Sequence, residues 1–202
     1  SAPPFYQGGE LVAPEGRIRI IALADLRTAA NTPLPPEQLS YTWRLGDKIL
    51  QADSGRGRSV LSATAPFRYR SAQVSVTVAN SDGSITAHAS TVVSSSDPLV
   101  LIYRNDPLLG LDLSRAIAGT FTMAGEEETF RAVPYFFALP PAFSWNLNSN
   151  AAGSQQDLTV RTTSTTGGTA RIDATATSDR QSTDAAFSVA FPARSGSSIF
   201  GF

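Results

Sequence analysis

The 202-residue chain has no cysteine and a single histidine, His88. Disulfides, thiolate zinc clusters and thiol nucleophiles are thereby excluded together. With one imidazole, most histidine-based metal sites are excluded too, and any Ser–His–Asp triad would depend on His88 alone. Lysine occurs once, as Lys48, so arginine carries nearly all the positive charge. The 16 basic and 17 acidic residues almost cancel, and no basic stripe of the kind that neutralises phosphates is present, which argues against nucleic acid as a partner. No apolar run approaches the roughly 20 residues of a bilayer-spanning helix.

What is present is short alternation between turn clusters, together with abundant Ser and Thr and scattered Pro and Gly. This is the pattern of an all-β sandwich or barrel. Gln73-Val74-Ser75-Val76-Thr77-Val78 places three valines on one face, and a slip of one residue would put all three in water. Asn80-Ser81-Asp82-Gly83 supplies a turn. Ser84 to Val93 alternates again, so the segment is predicted to be a hairpin.

The chain repeats once. Tyr41-Thr42-Trp43-Arg44-Leu45 and Phe143-Ser144-Trp145-Asn146-Leu147 share an aromatic–hydroxyl–Trp–polar–Leu order. Arg19 to Ala24 resembles Phe130 to Tyr135, Val74 to Val78 resembles Ala170 to Ala176, and Ser81-Asp82 resembles Ser178-Asp179. Thr91-Val92-Val93 corresponds to Phe187 to Phe191. Offsets near 100 residues, in one order, indicate two copies of one domain with loops of different length. A boundary at Ser94-Ser95-Ser96-Asp97-Pro98 divides the chain into 1–97 and 98–202. So short a linker, stiffened by Pro98, limits the hinge and suggests a semi-rigid rod.

Tyr41-x-Trp43 followed by Leu45-Gly46-Asp47, with Val-Ser-Val-Thr-Val at 74–78, resembles the central and later strands of polycystic-kidney-disease-type (PKD) domains. In the second copy Trp145 is followed by Asn146-Leu147-Asn148, without the Gly-Asp pair. The layout is also similar to tandem immunoglobulin-like modules of secreted bacterial surface proteins. The resemblance implies two antiparallel sandwiches and a scaffold, spacer or binding role outside the cell, and it implies no catalysis.

Candidate sites are few. Trp43 and Trp145 are expected to fill the space between sheets rather than to stack sugars. Glu126-Glu127-Glu128 offers oxygen ligands for a hard cation, but consecutive strand residues alternate faces, and solvated or gatekeeper charges are the expected role. Asp47, Asp53 and Asp82 lack the spacing of a calcium loop. His88, between Ala87 and Ala89, is expected at a surface or edge. Gly55-Arg56-Gly57-Arg58 is expected to be an exposed loop, because no helix follows to complete a phosphate cradle. Tyr135-Phe136-Phe137 makes both faces of a strand apolar, and packing between the two domains is the expected use. Phe5, Tyr6 and Tyr69 are the aromatics available for sugar stacking. Ile199, Phe200 and Phe202 follow the Ser/Gly-rich residues 195–198; this tail is expected to pack on a domain, to pair with another chain, or to lead toward a membrane anchor.

The sequence therefore predicts a non-catalytic extracellular structural, spacer or adhesive module at a bacterial surface or envelope. A carbohydrate- or protein-ligand-binding module is the alternative. The expected partners are other surface proteins, envelope components or glycans, with no catalytic residue, metal or cofactor.

Overall fold

The computed structural model describes residues 3–8, 11–163 and 166–193. The chain divides into two compact units, one of Glu10–Asp97 and one of Pro98–Phe202 together with Ser1–Gly9. The tail from residue 194 onward, for which a packing or pairing role is expected, lies outside the described residues.

The first unit carries β1 (Arg17–Ile21), β2 (Ser40–Leu45), β3 (Lys48–Ile49), β4 (Gly55–Arg56), β5 (Val60–Thr64), β6 (Ser71–Ala79) and β7 (Thr86–Ser94). β1 pairs with β5; the other sheet runs β3-β2-β6-β7, with β4 also on β2. The predicted hairpin is present as β6 and β7, in register from Ser71↔Ser94 to Ala79↔Thr86. Gly83 in its turn takes a φ of +74°, a conformation costly for a residue with a Cβ. Val74, Val76 and Val78 are buried with Tyr41, Trp43, Leu39 and Leu61.

The second unit carries β8 (Leu99–Asp106), β9 (Gly110–Leu111), β10 (Gly119–Thr122), β11 (Glu127–Tyr135), β12 (Ala142–Leu147), β13 (Asn150–Gly153), β14 (Asp157–Arg161), β15 (Gly168–Ser178) and β16 (Gln181–Phe191). Its sheets run β14-β11-β8-β9 and β10-β16-β15-β12-β13. Between them lies a core of Val100, Ile102, Phe130, Trp145, Ile172, Phe187 and Val189, among others.

The repeat read in the sequence maps onto equivalent strands. β2-β6-β7 and β12-β15-β16 lie in the same order, with Trp43 opposite Val76 and Trp145 opposite Ala174. Both tryptophans are 1% exposed. Each indole also solves its polar problem in one way: Trp43 Nε1–H donates to the Arg58 carbonyl at 2.8 Å, and Trp145 Nε1–H donates to the Gln155 carbonyl at 2.8 Å. A buried indole needs such a partner. Tyr41, on the same face of β2, differs, because its buried hydroxyl has no hydrogen-bond partner.

Two substitutions separate these cases. Trp43→Phe leaves the Arg58 carbonyl unpaired and trims the core, and is expected to cost about 2–4 kcal/mol. Tyr41→Phe removes an orphaned hydroxyl and is expected to leave stability equal or raise it by up to about 1 kcal/mol. Urea unfolding of the full chain measures both; a Tyr41→Phe variant as damaged as Trp43→Phe would contradict the assignment.

Candidate functional site

The two sandwiches differ where their last strands need cover. In an antiparallel ladder, residues directly opposite each other share a face. In the second unit Phe187 and Val189 of β16 lie opposite Ile172 and Ala170 of β15, and all four are buried. Their cover is β10, which runs parallel to β16 with Phe121 opposite Val189. The Phe121 ring meets Phe130 edge-on at 5.2 Å, Met123 is 1% exposed, and the Met123 N–H donates to the Ala190 carbonyl at 2.9 Å.

In the first unit Ala87, Ala89 and Thr91 of β7 lie opposite Val78, Val76 and Val74. The valines are buried, yet their three β7 partners are exposed. Among the described residues no strand pairs with the far edge of β7, and none precedes β1 in this unit. Of the leading segment, residues 3–8 belong to the second unit, where Tyr6 packs edge-on against Tyr135 at 5.7 Å and Phe136 at 5.8 Å. In the first unit the Val12 carbonyl accepts from the Ser96 N–H beyond the end of β7. What remains is a groove of about 270 Å³ between β7 and the end of β1, with Ile20, Ala22 and Leu23 on one wall and Ala87 and Ala89 on the other. Leu23 is 93% exposed beside it. His88 is the one ionisable residue among its lining. Its ring belongs to the opposite face of the sheet, where Nδ1 lies 3.4 Å from the Thr77 hydroxyl. The groove is otherwise lined by apolar and hydroxyl side chains. It suits an extended apolar segment, held by main-chain pairing along β7 and by alternate side chains in the gap.

The remaining candidates have structural partners. Glu128, expected to be solvated, is instead 7% exposed and accepts from Arg104 at 2.8 Å and 3.3 Å. It shares the inward face with Phe130, and Arg104 lies opposite that phenylalanine, so the ion pair caps one end of the core. Glu127 pairs with Arg161, and Arg131 grips Asp157 through two bonds of 2.7 Å. The cleft of about 540 Å³ beside Arg104, Asp106 and Glu128 therefore holds charges already matched. Gly55 and Arg56 are not loop residues but the short strand β4 on Ser40 and Tyr41, and Arg58 contributes the carbonyl that Trp43 needs. Asp47 and Asp53 sit in turns flanking β3, and Asp82 lies in the β6–β7 turn. No cluster of three metal-ligating side chains occurs among the described residues.

The aromatic strip departs from simple alternation. β11 ends at Tyr135, and Phe136 has a φ of +60°. That reversal sends Phe137 into the main core and leaves Phe136 with Tyr135, Tyr103 and Val133 in a separate cluster that Tyr6 covers. The Tyr103 and Tyr135 hydroxyls are 3.1 Å apart, and burial raises the Tyr135 pKa far above its ordinary value. Tyr6 is thus a packing residue. Phe67 and Tyr69, at 61% and 78% exposed, form an aromatic tip on the β5–β6 loop, where the Arg68 guanidinium lies 4.7 Å over the Tyr69 ring.

Four aspartates have pKa values lowered by local hydrogen bonds. Asp82 accepts from the Ser84 hydroxyl and amide, and Asp97 from Arg68. Asp106 accepts from the Leu109 and Leu108 amides, and Asp112 from the Ser114 hydroxyl and amide. A carboxyl whose folded pKa is depressed binds its proton more readily in the unfolded chain, so stability is present above the unfolded value and lost on acidification. Unfolding free energy is expected to vary little from neutrality to about pH 5 and to fall once pH drops below about 4. A urea series from pH 7 to pH 2.5 checks this; stability rising on acidification would contradict it.

No protein-family model matches the chain, and no curated protein is similar to it. Among solved structures, the three N-terminal domains of the Highly Immunogenic Outer Capsid protein of bacteriophage RB49 match 90% of this chain and 56% of theirs, at 14% identity and a TM-score of 0.47. The fibronectin(III)-like modules of Clostridium thermocellum CbhA match 92% of this chain and 90% of theirs, at 13% identity and a TM-score of 0.33. The N-terminal four Ig domains of Dscam1 isoform 8.4 match 96% and 46%, at 15% identity and a TM-score of 0.34. The chain spans little more than half of the phage structure and less than half of the Dscam1 structure. The strand pairing itself shows an all-β chain of two largely antiparallel sandwiches.

Proposed function

We propose that the chain is a non-catalytic structural module of an extracellular surface assembly, attached to partner proteins through the open side of its first sandwich. The observation that carries this reading is the uncovered, core-facing side of β7, where Ala87, Ala89 and Thr91 lie exposed opposite three buried valines. Two further features support it. The acidic and basic side chains of the second sandwich are spent on one another across its strands, which is architecture rather than acid–base chemistry. The residues after β7 are tied to the first sandwich: Ser95 Oγ donates to the Phe67 carbonyl at 3.0 Å, the Ser96 N–H to the Val12 carbonyl at 2.8 Å, and Arg68 pairs with Asp97 at 2.6 Å. A spacer benefits from such fixed connections. The PKD-like Tyr41-x-Trp43 strand, with Gly46 at a φ of +57° in the Gly-Asp turn, supports placement at a bacterial surface or envelope.

The aromatic tip of Phe67 and Tyr69 favours a second reading, a sugar-binding module, since exposed rings stack on the apolar faces of sugars. One comparison distinguishes the two. Full-length Ala89→Arg and Phe67→Ala/Tyr69→Ala variants are applied to surfaces of the cells that produce the protein. Ala89→Arg fills the groove from an exposed position and is expected to reduce attachment about tenfold or more, while the loop variant attaches normally. Loss only in the loop variant would replace the structural reading with the glycan one.

A further inference from the structure

We infer that the open side of the first sandwich is closed by residues 198–202 of a second copy of this chain, laid along β7 as an added strand. The inference rests on the reading of the groove as a protein-docking site and names its occupant. The second sandwich shows what the groove lacks. There β10 runs parallel to β16, and Phe121 and Met123, two residues apart, enter the gap between sheets. Ser198-Ile199-Phe200-Gly201-Phe202 repeats the spacing of Gly119-Thr120-Phe121-Thr122-Met123, with a small residue first and large apolar residues third and fifth. Of the chain outside the described structure, residues 194–202 form the one stretch long enough to make a strand, since the others are pairs.

Charge and shape agree with this occupant. From Ser195 to Phe202 the segment carries no charge, and neither do the groove walls, apart from His88 on the other face. Counted from the paired tryptophans, β7 offers Ala89 and Thr91 where β16 has Ala185 and Phe187, which leaves room for a large incoming side chain. The edge itself points to another molecule. Proteins that stay monomeric blunt their edge strands with Lys, Pro, inward charges or bulges. Thr86–Ser94 contains no charge and no proline, and its register with β6 runs unbroken. Each copy then offers one donor segment and one acceptor groove, a heterologous contact that adds copies head to tail.

The test is sedimentation velocity on full-length chains over a range of concentrations. Wild type is expected to form species larger than a monomer as concentration rises. Ala89→Arg, with a blocked groove and an intact donor, and Phe200→Ser/Phe202→Ser, with an intact groove and a disabled donor, are each expected to associate about a hundredfold more weakly. Mixed together, the two variants should form a heterodimer and nothing larger, because only one productive pairing remains. Thermal unfolding of each variant confirms that both sandwiches stay folded, as expected for Ala89, which is exposed. A wild-type chain that remains monomeric, or a Phe200→Ser/Phe202→Ser chain that assembles like wild type, overturns the inference. If in that case Ala89→Arg still loses surface attachment, the structural-module reading stands with a different occupant; if attachment is also unchanged, both fall.

Discussion

Each sandwich is organised around an indole whose N–H must be satisfied without water. Trp43 reaches the Arg58 carbonyl and Trp145 the Gln155 carbonyl, each at 2.8 Å. The acceptor lies on the chain that leaves the central strand and crosses to the opposite sheet. One bond therefore fixes the ring, the height of that crossing and the spacing of the sheets around it. Around this shared contact the flanking strands are free to vary, and they do so most at the edges.

The variation has a physical cost that the second sandwich avoids and the first does not. A last strand with apolar residues facing the core needs a neighbour, both for its side chains and for its unpaired backbone groups. β10 supplies that neighbour to β16. The first sandwich has no such strand among its described residues. The chain ahead of β1 lends Tyr6 to the cluster of Tyr103, Tyr135 and Phe136 and meets the first sandwich's last strand beyond its end, where the Val12 carbonyl accepts from the Ser96 N–H. It tolerates the opening by placing alanine and threonine, rather than phenylalanine, on the core-facing side of β7. Small residues limit the apolar area left in water, and they also leave a space shaped for large side chains.

Much of this architecture is legible in the sequence. Alternation at Val74, Val76 and Val78 identified a hairpin and its inner face, and the paired Trp contexts identified equivalent central strands, because both signals are local in the chain. Glu128 was misread because its partner Arg104 lies on another strand, and three adjacent glutamates look alike until that register is known. Phe136 was misread because left-handed backbone at a phenylalanine is rare, and strict alternation gives no warning of it. Gly55-Arg56 looked like a loop because two residues are too short for any periodic signal. The groove left one trace: β7 has Thr91 where β16 has Phe187. Without the fold, that difference has no meaning.

The central claim is that β7 is an open edge and β16 a covered one. Residue-resolved amide hydrogen exchange on the dilute, monomeric chain tests it most directly, because an edge N–H without a partner exchanges far faster than one held in a ladder. The amides of Ala87 to Thr91 that are not bonded to β6 are expected to exchange at nearly solvent rates, while those of Phe187 to Ala190 are protected on both sides of the strand. Equal, strong protection along both strands in the dilute monomer would contradict the open first sandwich and the functional reading built on it.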